Sequence, residues 1–177
     1  MIRALSGRLR RFRRAEDGNA SIEFVIIFPV FMMFLIFALE LSFITLRHAM
    51  LERGLDLTVR QIRLGYATPP NHPTIKNMVC DFARLGGNCT ENLRLEMRPI
   101  DPRAYVGLDT VADCTDRAEP TAPVKQFTPG QRNDLMILRA CLKYDPLMPD
   151  AVLGRALQKD SSGQSAVVSV SAFVNEP

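Results

Sequence analysis

The 177-residue sequence predicts an α+β fold. A long N-terminal helix, apolar on every side in its first half and amphipathic in its second, packs on a small antiparallel sheet of three or four strands. Three observations carry this expectation. Residues 24–46 hold a single charge, Glu40, and a single proline, Pro29. From Leu51 onward apolar residues recur at helical spacing. After residue 90 the pattern changes to two-residue alternation.

The apolar run comes first. As a helix it is roughly 34 Å long, enough for a bilayer core of about 30 Å. A buried core helix is the competing reading, but a chain this small has no core wide enough to surround it. Charge sets the orientation. Six of the 22 basic residues lie within the first fourteen positions (Arg3, Arg8, Arg10, Arg11, Arg13 and Arg14), leaving 16 basic against 19 acidic groups in the rest. The net charge of +3 is therefore a local arginine cluster on a mildly acidic protein, not a nucleic-acid-binding surface. Basic flanks stay cytoplasmic, so the N-terminus is inside and the chain after Arg47 is outside. A removable secretory signal fits less well. The run exceeds the usual 7–15-residue apolar stretch of such signals, and Leu46-Arg47-His48-Ala49 offers no small-x-small cleavage site. The apolar fraction, 47%, excludes general disorder.

The amphipathic continuation follows. Leu51, Leu55, Val59, Ile62 and Tyr66 form one stripe, with Glu52, Arg53, Asp56, Arg60 and Arg63 elsewhere. Gly65 and Pro69-Pro70 end it. A helix over residues 20–64 would be roughly 68 Å long. A shorter helix has Ile75, Met78, Val79 and Phe82 on one face, Thr74 as N-cap and Gly86 as its stop. Strands are expected where Leu93, Leu95 and Met97 alternate with Arg94, Glu96 and Arg98, over Leu135 to Tyr144, and over Val167 to Val174. The second is mostly apolar and should be central. In the third, Val168, Val170, Ala172 and Val174 alternate with Ser169, Ser171 and Phe173. The stretch between the first two strands, with Pro99, Pro102, Pro120, Pro123 and Pro129, holds an unseen short strand or is a functional loop. The organisation is a basic leader at 1–18, a long helix at 19–65 with its span at 24–46, and a head at 66–177.

All four cysteines, Cys80, Cys89, Cys114 and Cys141, fall in the head. Outside the inner membrane two disulfides are the default. Three pairings exist. Gly86-Gly87 lets the chain fold back between Cys80 and Cys89, which favours that pair and leaves Cys114 with Cys141, tying the Pro-rich loop to the central strand. A zinc site is the weaker alternative, since there is no CxxC and His48 and His72 fall in no ligand motif. The sequence also lacks a nucleophile elbow, a phosphate loop, an HExxH and paired carboxylates in a recognisable setting. It predicts no enzyme, no cofactor, no metal, no nucleic-acid partner and no small-molecule substrate. Scattered Asp and Glu read as solvated charge.

The junction before the span is more specific. It reads Asp17-Gly18-Asn19-Ala20-Ser21-Ile22-Glu23-Phe24, behind the arginine cluster and ahead of the apolar run. This resembles the signal of type IV pilin-like proteins. With Glu40-Leu41-Ser42 late in the helix, the polar continuation from Arg47 to Arg63, and strands ending in Tyr144-Asp145-Pro146-Leu147 and Val174-Asn175-Glu176-Pro177, the chain resembles TadE-like minor pseudopilins of the Flp/Tad (tight adherence) pilus system. The resemblance is strongest from Arg14 to about Gly65, moderate for those two strands and weak from Pro69 to Gly130. It implies cleavage by a prepilin peptidase between Gly18 and Asn19, and a pilin-like long helix. It also implies an inner-membrane subunit with a periplasmic head, and partners among membrane lipid, other pilin-like subunits and Tad assembly proteins. Glu23, beside Phe24, would pair with the ammonium that cleavage frees at Asn19, its own or a neighbour's, and so set helix register; Gly18 lets the backbone lie extended in a protease cleft. Asn19 departs from the Phe usual in major pilins, so N-methylation is not carried over. Glu40 would either reach the outer interface or pair within the membrane. The alternative is an uncleaved single-span protein with a disulfide-bonded binding or sensor head. A membrane-anchored hydrolase is a third.

Overall fold

A computed structural model describes residues 19–66, 70–104, 106, 108–117, 124 and 126–176. The element order is α1 (Asn19–Arg63), α2 (His72–Ala83), α3 (Cys89–Asn92), β1 (Leu93–Ile100), β2 (Leu135–Tyr144), α4 (Val152–Ala156) and β3 (Ser165–Val174). The chain divides into two compact units between Leu39 and Glu40.

In the first unit the described residues are helical. From Ser21 to Leu39 every side chain is exposed except the half-buried Met32 and Ile36. Phe24, Val25, Ile26, Phe31 and Phe34 all face outward. An apolar helix without a protein core around it is what a lipid environment requires. By length and composition α1 can cross a membrane. Pro29 lies inside it, and the helix continues on both sides.

The second unit is a three-stranded antiparallel sheet in the order β1-β2-β3, with the later part of α1 and α2 on one face. Leu51, Leu55, Val59 and Ile62 of α1 are buried with Ile75 and Val79 of α2 and with Leu93, Leu95, Met97, Met136, Leu138 and Val167 of the sheet. Tyr66 leaves the expected stripe: it follows the helix end and is exposed. The two helices meet at Gly54. A Cβ there would lie 2.6 Å from the Ala83 Cβ and 2.7 Å from the Val79 carbonyl oxygen. α2 begins earlier than expected. Asn71, not Thr74, is its N-cap, accepting the Thr74 N–H at 2.9 Å, because Asn71 sits one turn ahead of that donor and Pro73 occupies the first turn. It ends at Ala83, with Arg84 in the left-handed region, before Gly86 is reached.

One expectation about the strands changes, and one face is settled. β1 is buried on both faces over Leu93–Met97, because residues of the 101–117 loop cover its Arg94 and Glu96 side. In β3 the buried residues are Ser165, Val167, Ser169 and Phe173, while Val168, Val170 and Val174 are exposed. The pairing register explains this. Leu142, Ala140 and Met136 of β2 stand opposite Val167, Ser169 and Phe173, and strand partners share a face. The Pro-rich stretch contributes one isolated bridge, Phe127 to Met97 on the free edge of β1. Pro99 is tolerated in β1 because that strand is an edge.

Candidate membrane and assembly site

Gly18 lies outside the described residues, as does the side chain of Asn19. α1 starts at Asn19, so positions 19 and 23 are four apart on one helix face. Glu23 is exposed. Phe24 is exposed too, and its ring stacks on Phe28 with centroids 4.9 Å apart. The first part of the helix thus presents a carboxylate and aromatic surface outward.

Glu40 is different. It is 2% exposed, and its Oε1 accepts the Met148 N–H at 3.4 Å. Its Oε2 is buried with no hydrogen-bond partner among the described residues. The structure therefore gives Glu40 a partner in its own chain. Two turns on, the Arg47 guanidinium lies 4.8 Å over the Tyr144 ring. Burial pushes the Tyr144 hydroxyl above its ordinary pKa; Arg47 opposes this and the Glu40 charge adds to it. His48 Nε2 lies 3.1 Å from the Val168 carbonyl oxygen, so this residue meets the sheet edge. Nothing in the sequence marks these contacts, because each joins α1 to a segment about a hundred residues away.

Two disulfides frame the head. Cys80–Cys89 joins α2 to α3, and Cys114–Cys141 joins the 101–117 loop to β2. Beside the second lies a buried ionic network. Arg139 pairs with Glu96, and Arg94 with Asp113 at 3.2 Å. Glu96 also accepts the Asp113 N–H at 3.3 Å, and Arg139 donates to the Asp109 carbonyl at 2.7 Å. Glu96 and Asp113, read from sequence as solvated, are structural. On the same side of the head, Lys76, Asn88, Glu91, Arg94, Asp116 and Arg117 line a polar cleft of about 470 Å³. Burial and the Arg94 charge hold the Lys76 ammonium below its ordinary pKa.

Residues 18–60 match the family model described as TadE-like protein. The matched stretch contains Glu23, Phe24, the apolar run, Glu40 and most of the amphipathic half of α1; the sheet lies beyond it. No curated protein and no solved structure matches the chain. The match covers the part of α1 that is, among the described residues, long and apolar enough to cross a membrane. From its junction through most of α1, the chain is similar to TadE-like proteins.

Proposed function

We propose that the chain is a minor pseudopilin of a Flp/Tad pilus system: a prepilin peptidase removes residues 1–18, and the mature subunit anchors through α1 and joins other pilin-like subunits. The observation that carries this reading is that the TadE-like match, residues 18–60, covers an apolar helix whose side chains from Ser21 to Leu39 are all exposed except the half-buried Met32 and Ile36. The arginine cluster favours a cytoplasmic leader, and the two disulfides favour an oxidising compartment for the head. In this reading the new ammonium at Asn19 and the Glu23 carboxylate, on one helix face, form the charge pair that sets register between subunits. Such a pair is costly to leave unmade at membrane depth. The chain acts as a peptidase substrate and a structural subunit, not as a catalyst.

The test is Glu23→Val in the native system. Normal membrane anchoring with failed co-assembly is expected. Pili at normal levels would remove the pairing. Gly18→Ala should slow loss of the leader.

The polar cleft beside Lys76 favours a second reading, an uncleaved anchor that carries a binding head. That reading requires Met1 to remain on the membrane-extracted protein.

A further inference from the structure

We infer that the loop between β2 and α4, with Leu147 and Met148 at its tip, is a second membrane contact that seats in the head-side interface of the lipid bilayer beside α1. The inference rests on the reading of α1 as a membrane span.

The sequence of the loop is Asp145-Pro146-Leu147-Met148-Pro149-Asp150, four uncharged residues between two acids. Leu147 is 53% exposed, Met148 36% and Val152, at the start of α4, 58%. The bond from the Met148 N–H to Glu40 fixes the level of the loop along the helix. From Glu40 the apolar run continues to Leu46, about 9 Å further along the axis. The tip is therefore held at the level of Glu40, within the apolar run, whose next residues Leu41, Phe43 and Leu46 are exposed. If the run to Leu46 sits in lipid or its interface, the tip is there with it.

The backbone of the loop suits that place. A segment entering lipid must satisfy its own polar groups, because no water is available to do so. Pro146 and Pro149 bring no N–H. The Met148 N–H is taken by Glu40, and the Met148 carbonyl accepts the Ala151 N–H at 3.1 Å. The Pro149 carbonyl accepts from Lys159 Nζ at 2.8 Å. Gly154 lets α4 close on the loop, since a Cβ at that position would collide with the Met148 carbonyl oxygen. The buried carboxylate thus has a purpose: it neutralises a backbone donor of the membrane-facing tip. Asp145 is drawn back to the head by Arg117 at 3.0 Å. Arg155, exposed in the last turn of α4, adds a positive charge close to the loop. Three partly exposed side chains fall far short of the roughly 1,200 Å² that a stable protein interface buries, so lipid is the better occupant than a second copy.

The chain contains no tryptophan, so a single introduced one reports on its own site. The full chain, as Leu147→Trp, Phe34→Trp or Val111→Trp, would be reconstituted in vesicles of phosphatidylethanolamine and phosphatidylglycerol, with and without bromine on the acyl chains. A ring held about 5–10 Å into the headgroup and acyl boundary should give blue-shifted emission that brominated chains reduce by about twofold. That is the result expected for Leu147→Trp, with Phe34→Trp quenched more strongly and Val111→Trp unaffected. Quenching at position 34 without quenching at 147 overturns the loop contact and leaves the spanning helix standing. Emission at 147 that is blue-shifted but unquenched assigns the tip to a protein neighbour and overturns it equally. If position 34 is not quenched, the spanning helix falls and the loop contact falls with it.

Discussion

Glu96 of β1 stands directly opposite Arg139 of β2, and the two form a buried ion pair on the sheet face that α1 does not cover. Arg139 also donates to the Asp109 carbonyl, so the pair fastens the 101–117 loop to the sheet.

Glu96→Gln should therefore destabilise the head by about 3–5 kcal/mol, because it leaves the Arg139 charge buried and uncompensated. Replacing both partners, as Glu96→Leu with Arg139→Met, should cost much less than the single change. Urea unfolding of the full chain in detergent, followed by circular dichroism, measures both.

The disulfides should differ in worth. Cys114–Cys141 closes a separation of 27 residues and Cys80–Cys89 one of 9. Loop entropy then assigns about 3–4 kcal/mol to the first and about 2–3 kcal/mol to the second. Cys114→Ser with Cys141→Ser should lower the unfolding midpoint more than Cys80→Ser with Cys89→Ser, and the same order should appear in titration with reductant.

Gly54→Ala separates propensity from packing. In a free helix the change should stabilise by roughly 0.8–1 kcal/mol. Here the new methyl meets Ala83 and the backbone of α2, and overpacking costs about 1–3 kcal/mol. A net loss of stability is expected by thermal unfolding; a net gain would mean that α2 yields without cost.

Asp160 gives the head an acid limb. Burial raises its pKa, but bonds from Lys143 Nζ, Ser162 and the Gln164 N–H, with the charge of Lys143, outweigh it and hold the carboxyl well below its ordinary 3.8. The unfolded chain therefore binds the proton first. The contribution of Asp160 is whole above the ordinary carboxylate pKa and shrinks as pH falls from there toward the lower folded value. Wild type and Asp160→Asn should differ by a constant margin above about pH 5 and converge below about pH 4. Parallel curves across that range would contradict the assignment.

Local pattern made much of this molecule readable. The run from Phe24 needed only its length and composition. Leu51, Leu55, Val59 and Ile62 repeat at helical spacing and are the buried face. The pairing Cys80–Cys89, expected from Gly86-Gly87, is the one present. What stayed hidden depends on distant segments. Arg94 and Glu96 alternate with leucines as solvent-facing residues do, and only the later loop, through Asp109 and Asp113, makes them interior. Val168 and Val170 are as apolar as Val167, and only pairing with β2 decides which face is inside. Glu40 stood in an apolar run with no visible partner, because its partner is a backbone N–H 108 residues further along.

The most direct measurement is the intact mass of the protein extracted from its native membrane, in cells with and without an active prepilin peptidase. A mature chain that begins at Asn19 when the peptidase is active, and retains residues 1–18 when it is absent, is the expected result. An unshortened chain in cells that assemble pili normally would contradict it.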